Sequence, residues 1–378
     1  MKRGTFRILL FACSLAPAAG YAQAPVGPIT PQPGVPVQQA PPRPQIRTRV
    51  TLVNTPVTVR DNKGEMVHDL EARDFRVTDN GAVQAITHFD LGGDPVSLVI
   101  VVETSSRIAP MLPELRKTGI LLTQTVMGPT GEAAVVGFND SVDKLLDFRG
   151  SADDVEKTIA GLAEGTSGAK LYDAMAVAVE MLSGRPQAGA QPVGRRRVML
   201  IISEATDYGS SAKLGDVLRR AQVANVTIYS VGLSTTRAEF QEKGQQHGPI
   251  PITPPGTFGR PPMPGTPQTP TTEAQRDGNI DLMAAAVWAV QHVENQVRDH
   301  ALEVAATATG GTHLATFKDR SIEKAIDEIG GELHSQYTLS YTPSGSNESG
   351  YHEIKVDVDR KGLKIRARPG YYVDSPLS

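Results

Sequence analysis

Of the chain's 378 residues only one is cysteine, Cys13, and it lies in an apolar stretch near the N-terminus. A mature protein without that stretch is expected to have no thiol chemistry, no disulfide and no cysteine metal site. Tryptophan is equally scarce, with Trp288 alone. Beyond the N-terminus no apolar run approaches the roughly 20 residues that span a bilayer. Gly-x-Ser-x-Gly, Walker-type Gly-x-x-x-x-Gly-Lys and Gly-x-Gly-x-x-Gly are all missing, which leaves a serine-elbow hydrolase or a nucleotide cofactor unsupported. The eight histidines are scattered without His-Glu-x-x-His or other metal-ligand spacing.

What is present begins with Lys2, Arg3 and Arg7, an apolar stretch from Ile8 to Ala19, and Ala22-Gln23-Ala24. This is the pattern of a secretory signal over residues 1–24, with the mature chain starting near Pro25, so the expected location is periplasmic or extracellular. Leu10-Phe11-Ala12-Cys13 faintly resembles a lipoprotein box, but bulky Phe11 fits it poorly, and ordinary cleavage is the expectation. Removing the signal takes away three basic residues and no acidic ones, leaving 35 against 41, about −6. That mild acidity argues against nucleic acid as a partner. Arg195-Arg196-Arg197 is the one basic cluster and reads as a solvated strand entry.

Hydrophobic residues make up 39% of the chain, enough for a substantial core. Residues 25–48 are rich in Pro, Gln and Val without periodicity, and are expected to be a disordered tether. From 49 to 94 the pattern alternates through Val50 and Leu52, Val57 and Val59, Phe75 and Val77, then Val83 and Ala85, with turn residues at Asp61-Asn62-Lys63-Gly64 and Asp79-Asn80-Gly81. Residues 95–334 alternate buried strands with helices, which predicts a doubly wound, mainly parallel α/β sheet. The strand candidates are 96–102, 133–138, 198–202 and 226–231, with 142–148 as an antiparallel edge. The helix candidates are 111–126, 153–163, 171–182, 213–224, 281–307 and 322–334. In 281–307, Leu282, Ala286, Ala289, Val290 and Val293 form a stripe expected to pack on the sheet, with Trp288 as an anchor. The Pro- and Gly-rich stretch 235–278 is expected to be a disordered insertion; recruitment of a partner by its extended segments is the alternative. Alternation returns over 335–374, which is expected to pair with 49–94 in an accessory β-sandwich.

Three landmarks give this α/β unit a resemblance. The run Val96 to Val102 followed by Glu103-Thr104-Ser105-Ser106-Arg107, then Gly168-Ala169-Lys170-Leu171, then Ile202-Ser203-Glu204-Ala205-Thr206-Asp207 resembles the successive motifs of a von Willebrand factor A-type domain. The flanks, from Val57-Thr58-Val59 to Asp74-Phe75 and from Ser335-Gln336-Tyr337 to Pro369-Gly370-Tyr371-Tyr372, are similar to those of secreted acidobacterial proteins of that family. The resemblance implies a protein-binding module whose sheet-end loops hold Mg²⁺ or Mn²⁺, with a partner carboxylate completing the coordination. Hard oxygen ligands at about 2.1 Å are what such an ion requires.

Carried over by position, this sequence departs from that ligand set. The first Asp is Glu103, the first Ser is Ser105, the second Ser is Arg107, the Thr is Ala169 and the later Asp is Glu204. A guanidinium has no lone pair to offer and carries a permanent charge, and Ala169 removes an oxygen. One reading has Arg107 replacing the ion and pairing with Glu103 and Glu204; the other has it pointing to solvent. Thr166 or Ser167 could replace the missing threonine, and Asp207 could supply a further carboxylate. Should a metal bind, Mg²⁺ or Ca²⁺ held by Glu103, Ser105, Glu204 and Asp207 is the arrangement implied; the expectation is no cofactor. Tyr172 and Asp173, at a helix start, read as packing and capping. The function expected is non-enzymatic binding of a protein through the sheet-end loops, with metal-dependent adhesion second and a hydrolase of unknown mechanism a distant third.

Overall fold

The computed structural model describes residues 52–189, 194–233, 287, 300–316, 321–344 and 349–373. The signal, the tether, the insertion 235–278 and Trp288 lie outside them. All described residues belong to one compact unit.

The central sheet has six strands: β5 (Val96–Glu103), β6 (Glu132–Phe138), β7 (Val142–Arg149), β8 (Arg196–Ser203), β9 (Val226–Leu233) and β10 (His313–Thr316). Their order is β10-β9-β8-β5-β6-β7, every neighbouring pair parallel except β6 with β7. Every residue of β5 is buried, as a strand covered on both faces requires. Val99 and Val101 pack with α4 (Leu171–Ser183), α5 (Leu214–Val223) and α6 (Ala301–Thr309). Val96, Leu98, Ile100 and Val102 pack on the other face with α1 (Leu112–Leu115), α3 (Ala152–Ala160) and α7 (Ile322–Ser335). Each such side chain contributes about 1.5–3 kcal/mol on burial, so β5 anchors the sheet.

Two helix expectations differ from the structure in detail, and one strand was not expected. The helix expected over 111–126 is broken into a 3₁₀ turn (Ser106–Met111), α1, α2 (Gly119–Leu121) and a π turn (Leu122–Met127). Pro110 sits in the 3₁₀ turn and Pro113 in the first turn of α1, where the missing N–H is tolerated. Of the helix expected over 281–307, residues 281–286 and 288–299, with the stripe from Leu282 to Val293, lie outside the described residues; His300 has φ 59° and α6 starts after it, running on to Thr309 before Gly310 at φ 84°. The short parallel strand β10 has too little alternation to be read from sequence.

The flanking segments interleave. β1 (Val53–Arg60) lies between β11 (Tyr337–Tyr341) and β13 (Lys364–Ala367), and β4 (Ile86–Leu91) closes that sheet against β11. β2 (Phe75–Asp79) lies between β3 (Ala82–Gln84) and β12 (Gly350–Val358), which pairs with β14 (Gly370–Val373). Asn80 and Gly81, at φ 47° and 82°, form the two-residue turn between β2 and β3. One apolar cluster joins Val57, Tyr337 and Leu339 of the first sheet to Phe75, Val77 and Ile354 of the second. Here the expected alternation is reversed at one place: Val83 is 66% exposed and Gln84 is buried, its amide oxygen accepting from Ser344 N and Oγ at 2.9 and 3.0 Å. Glu332 of α7 ties the flanking strands to the α/β unit through Arg60, at 3.3 Å, and Arg366.

Candidate functional site

β5 and β8 lie side by side, yet the chain leaves them on opposite faces. The connection from β5 runs through α1 and α2 on one face, and that from β8 through α5 on the other. Such a switch point opens a crevice at the carboxyl ends of the strands. Glu103 is the last residue of β5 and Ser203 the last of β8.

Glu103 is fully buried. Its Oε1 accepts from Ser105 Oγ at 2.5 Å and from Arg107 Nη2 at 3.2 Å. Its Oε2 accepts from Ser203 Oγ at 2.8 Å and from the backbone N–H of Glu204 at 2.9 Å. A buried carboxylate is tolerated when its oxygens are satisfied and its charge is matched, and both conditions are met here. Arg107 follows Ser105 in the 3₁₀ turn, where Ile108 is buried in the core and fixes the turn. Its Nε stands 3.4 Å from Glu204 Oε2, an ion-pair distance without hydrogen-bond alignment. Its guanidinium carbon lies 4.6 Å from the centre of the Tyr208 ring, a cation–π contact. The structure thus brings Glu103, Ser105, Arg107 and Glu204 together, with the guanidinium between the two carboxylates.

The remaining residues singled out from sequence have other partners. Ala169 is buried, and its backbone exchanges hydrogen bonds with Tyr208 at 2.7 and 3.3 Å. Asp207 Oδ1 accepts from Tyr172 N at 3.2 Å and Ser210 Oγ at 2.6 Å, which ties the loop after β8 to the start of α4. Asp173 braces the same loop by accepting from Ser211 N and Ala212 N at 3.0 and 2.8 Å. The Thr166 hydroxyl engages Asn139 at 3.2 Å. Ala205 adopts φ 71°, which β-carbon sterics disfavour, and its N–H donates to Ser203 Oγ at 3.1 Å. Among the described residues no three or more His, Asp or Glu side chains group to hold a metal ion.

Over this cluster opens a cleft of about 590 Å³ lined by Arg107, Asp140, Ser167, Glu204, Thr206 and Tyr208, among others. Asp140 and Tyr208 were not indicated as site residues by the sequence. Tyr208 reaches the cleft by pairing with Ala169, a long-range contact with no local signature. Ser203 carried a weak signal, as the polar residue closing the apolar run Val198 to Ile202.

No protein-family model matches this chain, and no curated protein matches it. Solved structures similar to it include a conserved hypothetical protein, BatB, from Bacteroides thetaiotaomicron, at 13% identity over 63% of this chain and 98% of that one, with a TM-score of 0.40. Another is proximal thread matrix protein 1 from the mussel byssus with a zinc-occupied MIDAS motif, at 13% identity over 68% and 49% of the two chains and a TM-score of 0.40. The VWA domain of SpRpn10 matches at 13% identity over 39% and 79%, with a TM-score of 0.30. These values are low, and the site is read from its own strand order and side chains.

Proposed function

We propose that the chain is an exported, non-enzymatic protein-interaction module. In this reading a von Willebrand factor A-like α/β unit carries the binding loops, the flanking sheets form an accessory β-sandwich, and Arg107 stands where a divalent ion would otherwise hold the loops. The observation that carries it is the guanidinium placed between Glu103 and Glu204 at the switch point of the sheet. A divalent ion needs open lone pairs, whereas both Glu103 oxygens already accept two hydrogen bonds each, and Ala169 has no oxygen to give. The donor set therefore does not fit Mg²⁺. Arginine supplies a charge that neither exchanges nor depends on ion supply. Export rests on the signal-like N-terminus; among the described residues no helix is long and apolar enough to cross a membrane.

One arrangement bears on the hydrolase alternative. Ser230 Oγ lies 2.8 Å from His313 Nδ1, and His313 Nε2 lies 3.7 Å from Glu303. Ser230 is fully buried within β9, so no substrate reaches its hydroxyl, and the trio supports packing between β9, β10 and α6.

Isothermal titration of the mature protein with Mg²⁺, Mn²⁺ and Ca²⁺ tests the metal-free reading. No stoichiometric heat is expected; tight binding abolished by Glu103→Ala would overturn it. Pull-down from an envelope fraction tests the partner reading, which fails if wild type and Arg107→Ala retain the same proteins equally.

A further inference from the structure

Within the cleft the charges are unequal. Arg107 is neutralised twice over, by Glu103 beneath it and Glu204 beside it. Asp140 adds a further negative charge at the rim. Lys170 passes beside Gly209 at the same rim, and Asp207 and Asp173, held in the adjoining loop, outweigh it. The surface offered to a partner is therefore negative, although an arginine lies at its centre.

Asp140 has the geometry of a receptor. Its carboxylate lies against the α-carbon of Gly168, where a β-carbon would stand 1.5 Å from Oδ1, so glycine at 168 is what admits it. Among the described residues nothing donates a hydrogen bond to that carboxylate, and the residue is exposed. Tyr208, 51% exposed, lines the same cleft, with the Arg107 guanidinium already against its ring at 4.6 Å. A carboxylate and an aromatic ring around one cavity suit a cationic side chain.

We propose that the cleft takes a lysine or arginine side chain of the protein partner, with Asp140 as its counterion and Tyr208 as its aromatic wall. This rests on the partner-binding reading above. It assigns the partner a basic residue, the charge opposite to that of a residue that would complete a metal ion's coordination.

The test is an NMR titration of the mature protein with two end-capped Gly/Ser pentapeptides, one with a central lysine and one with a central glutamate. The lysine peptide is expected to shift the amides of Gly168, Tyr208 and Gly209, and to do so less as salt is raised. Asp140→Asn should weaken that binding about three- to tenfold. Glu65→Gln, an exposed acid in the loop between β1 and β2, should leave it unchanged. Stronger shifts of the same amides by the glutamate peptide would overturn the charge assignment while leaving the site in place. Silence of the cleft with both peptides, or equal weakening by Glu65→Gln, would overturn the proposal itself. The partner-binding reading fails separately, in the Arg107→Ala pull-down.

Discussion

Glu103 tolerates burial because four donors, one of them the Arg107 cation, surround it. Removing the cation leaves the carboxylate buried with three neutral donors. Arg107→Ala should therefore destabilise the fold by about 2–3 kcal/mol, below the full cost of breaking a buried pair because Arg107 is partly exposed. Urea unfolding measures this, and an unchanged midpoint would mean that the pair contributes nothing. Ala205 gives the opposite sign: at φ 71° its β-carbon is strained, so Ala205→Gly should stabilise by about 1 kcal/mol in the same assay. Whether Arg107 turns inward or to solvent was open in the sequence. In the structure the side chain lies between Glu103 and Glu204, because Ile108 is buried in the core and fixes the turn that carries Arg107.

At the level of elements, α7 contains two adjacent glycines with opposite surroundings. A β-carbon on Gly330 would stand 2.6 Å from the carbonyl oxygen of Thr125 in the π turn, whereas one on Gly331 would meet nothing within 4 Å. Gly330→Ala should cost about 1–3 kcal/mol by overpacking backbone, and Gly331→Ala should gain about 0.5–1 kcal/mol from helix propensity. Thermal melting of the two variants should move in opposite directions; a shared direction would refute this packing. The helix was legible from its apolar period, and the structure adds a cap at Ser321, whose Oγ accepts from Lys324 N at 3.2 Å. The tight crossing was not, since a glycine's closest neighbour lies some 200 residues away in sequence. The same limit applies to β3, where Gln84 faces inward because Ser344 meets it from the other end of the chain.

For the molecule as a whole, the edge formed by β9, β10 and α6 makes stability depend on pH. Burial holds the His313 imidazole below its ordinary 6.5; Glu303 opposes the shift and His300 adds to it. The folded form thus favours neutral His313, so its contribution is complete above pH 6.5 and is lost as pH falls through the lowered value. The urea midpoint should drop between pH 7.5 and 5, and His313→Gln should lessen the drop; an identical pH profile in that variant would exclude the histidine.

Composition and periodicity determined the order β, α/β, β and the strands from β5 to β9, because burial on one or both faces leaves a period that is local. Substitution of an ion's usual oxygens at Glu103, Arg107, Ala169 and Glu204 was implied by the resemblance alone, through the identity of single residues. Only the tertiary structure decided which side chains meet. Glu103 and Glu204 are a hundred positions apart, and they share Arg107 because β5 and β8 are neighbours across the switch point. Tyr208 and Asp140 enter the cleft through loops whose positions are set by the whole sheet. Contacts of that range depend on strand order, which no local pattern of residues encodes.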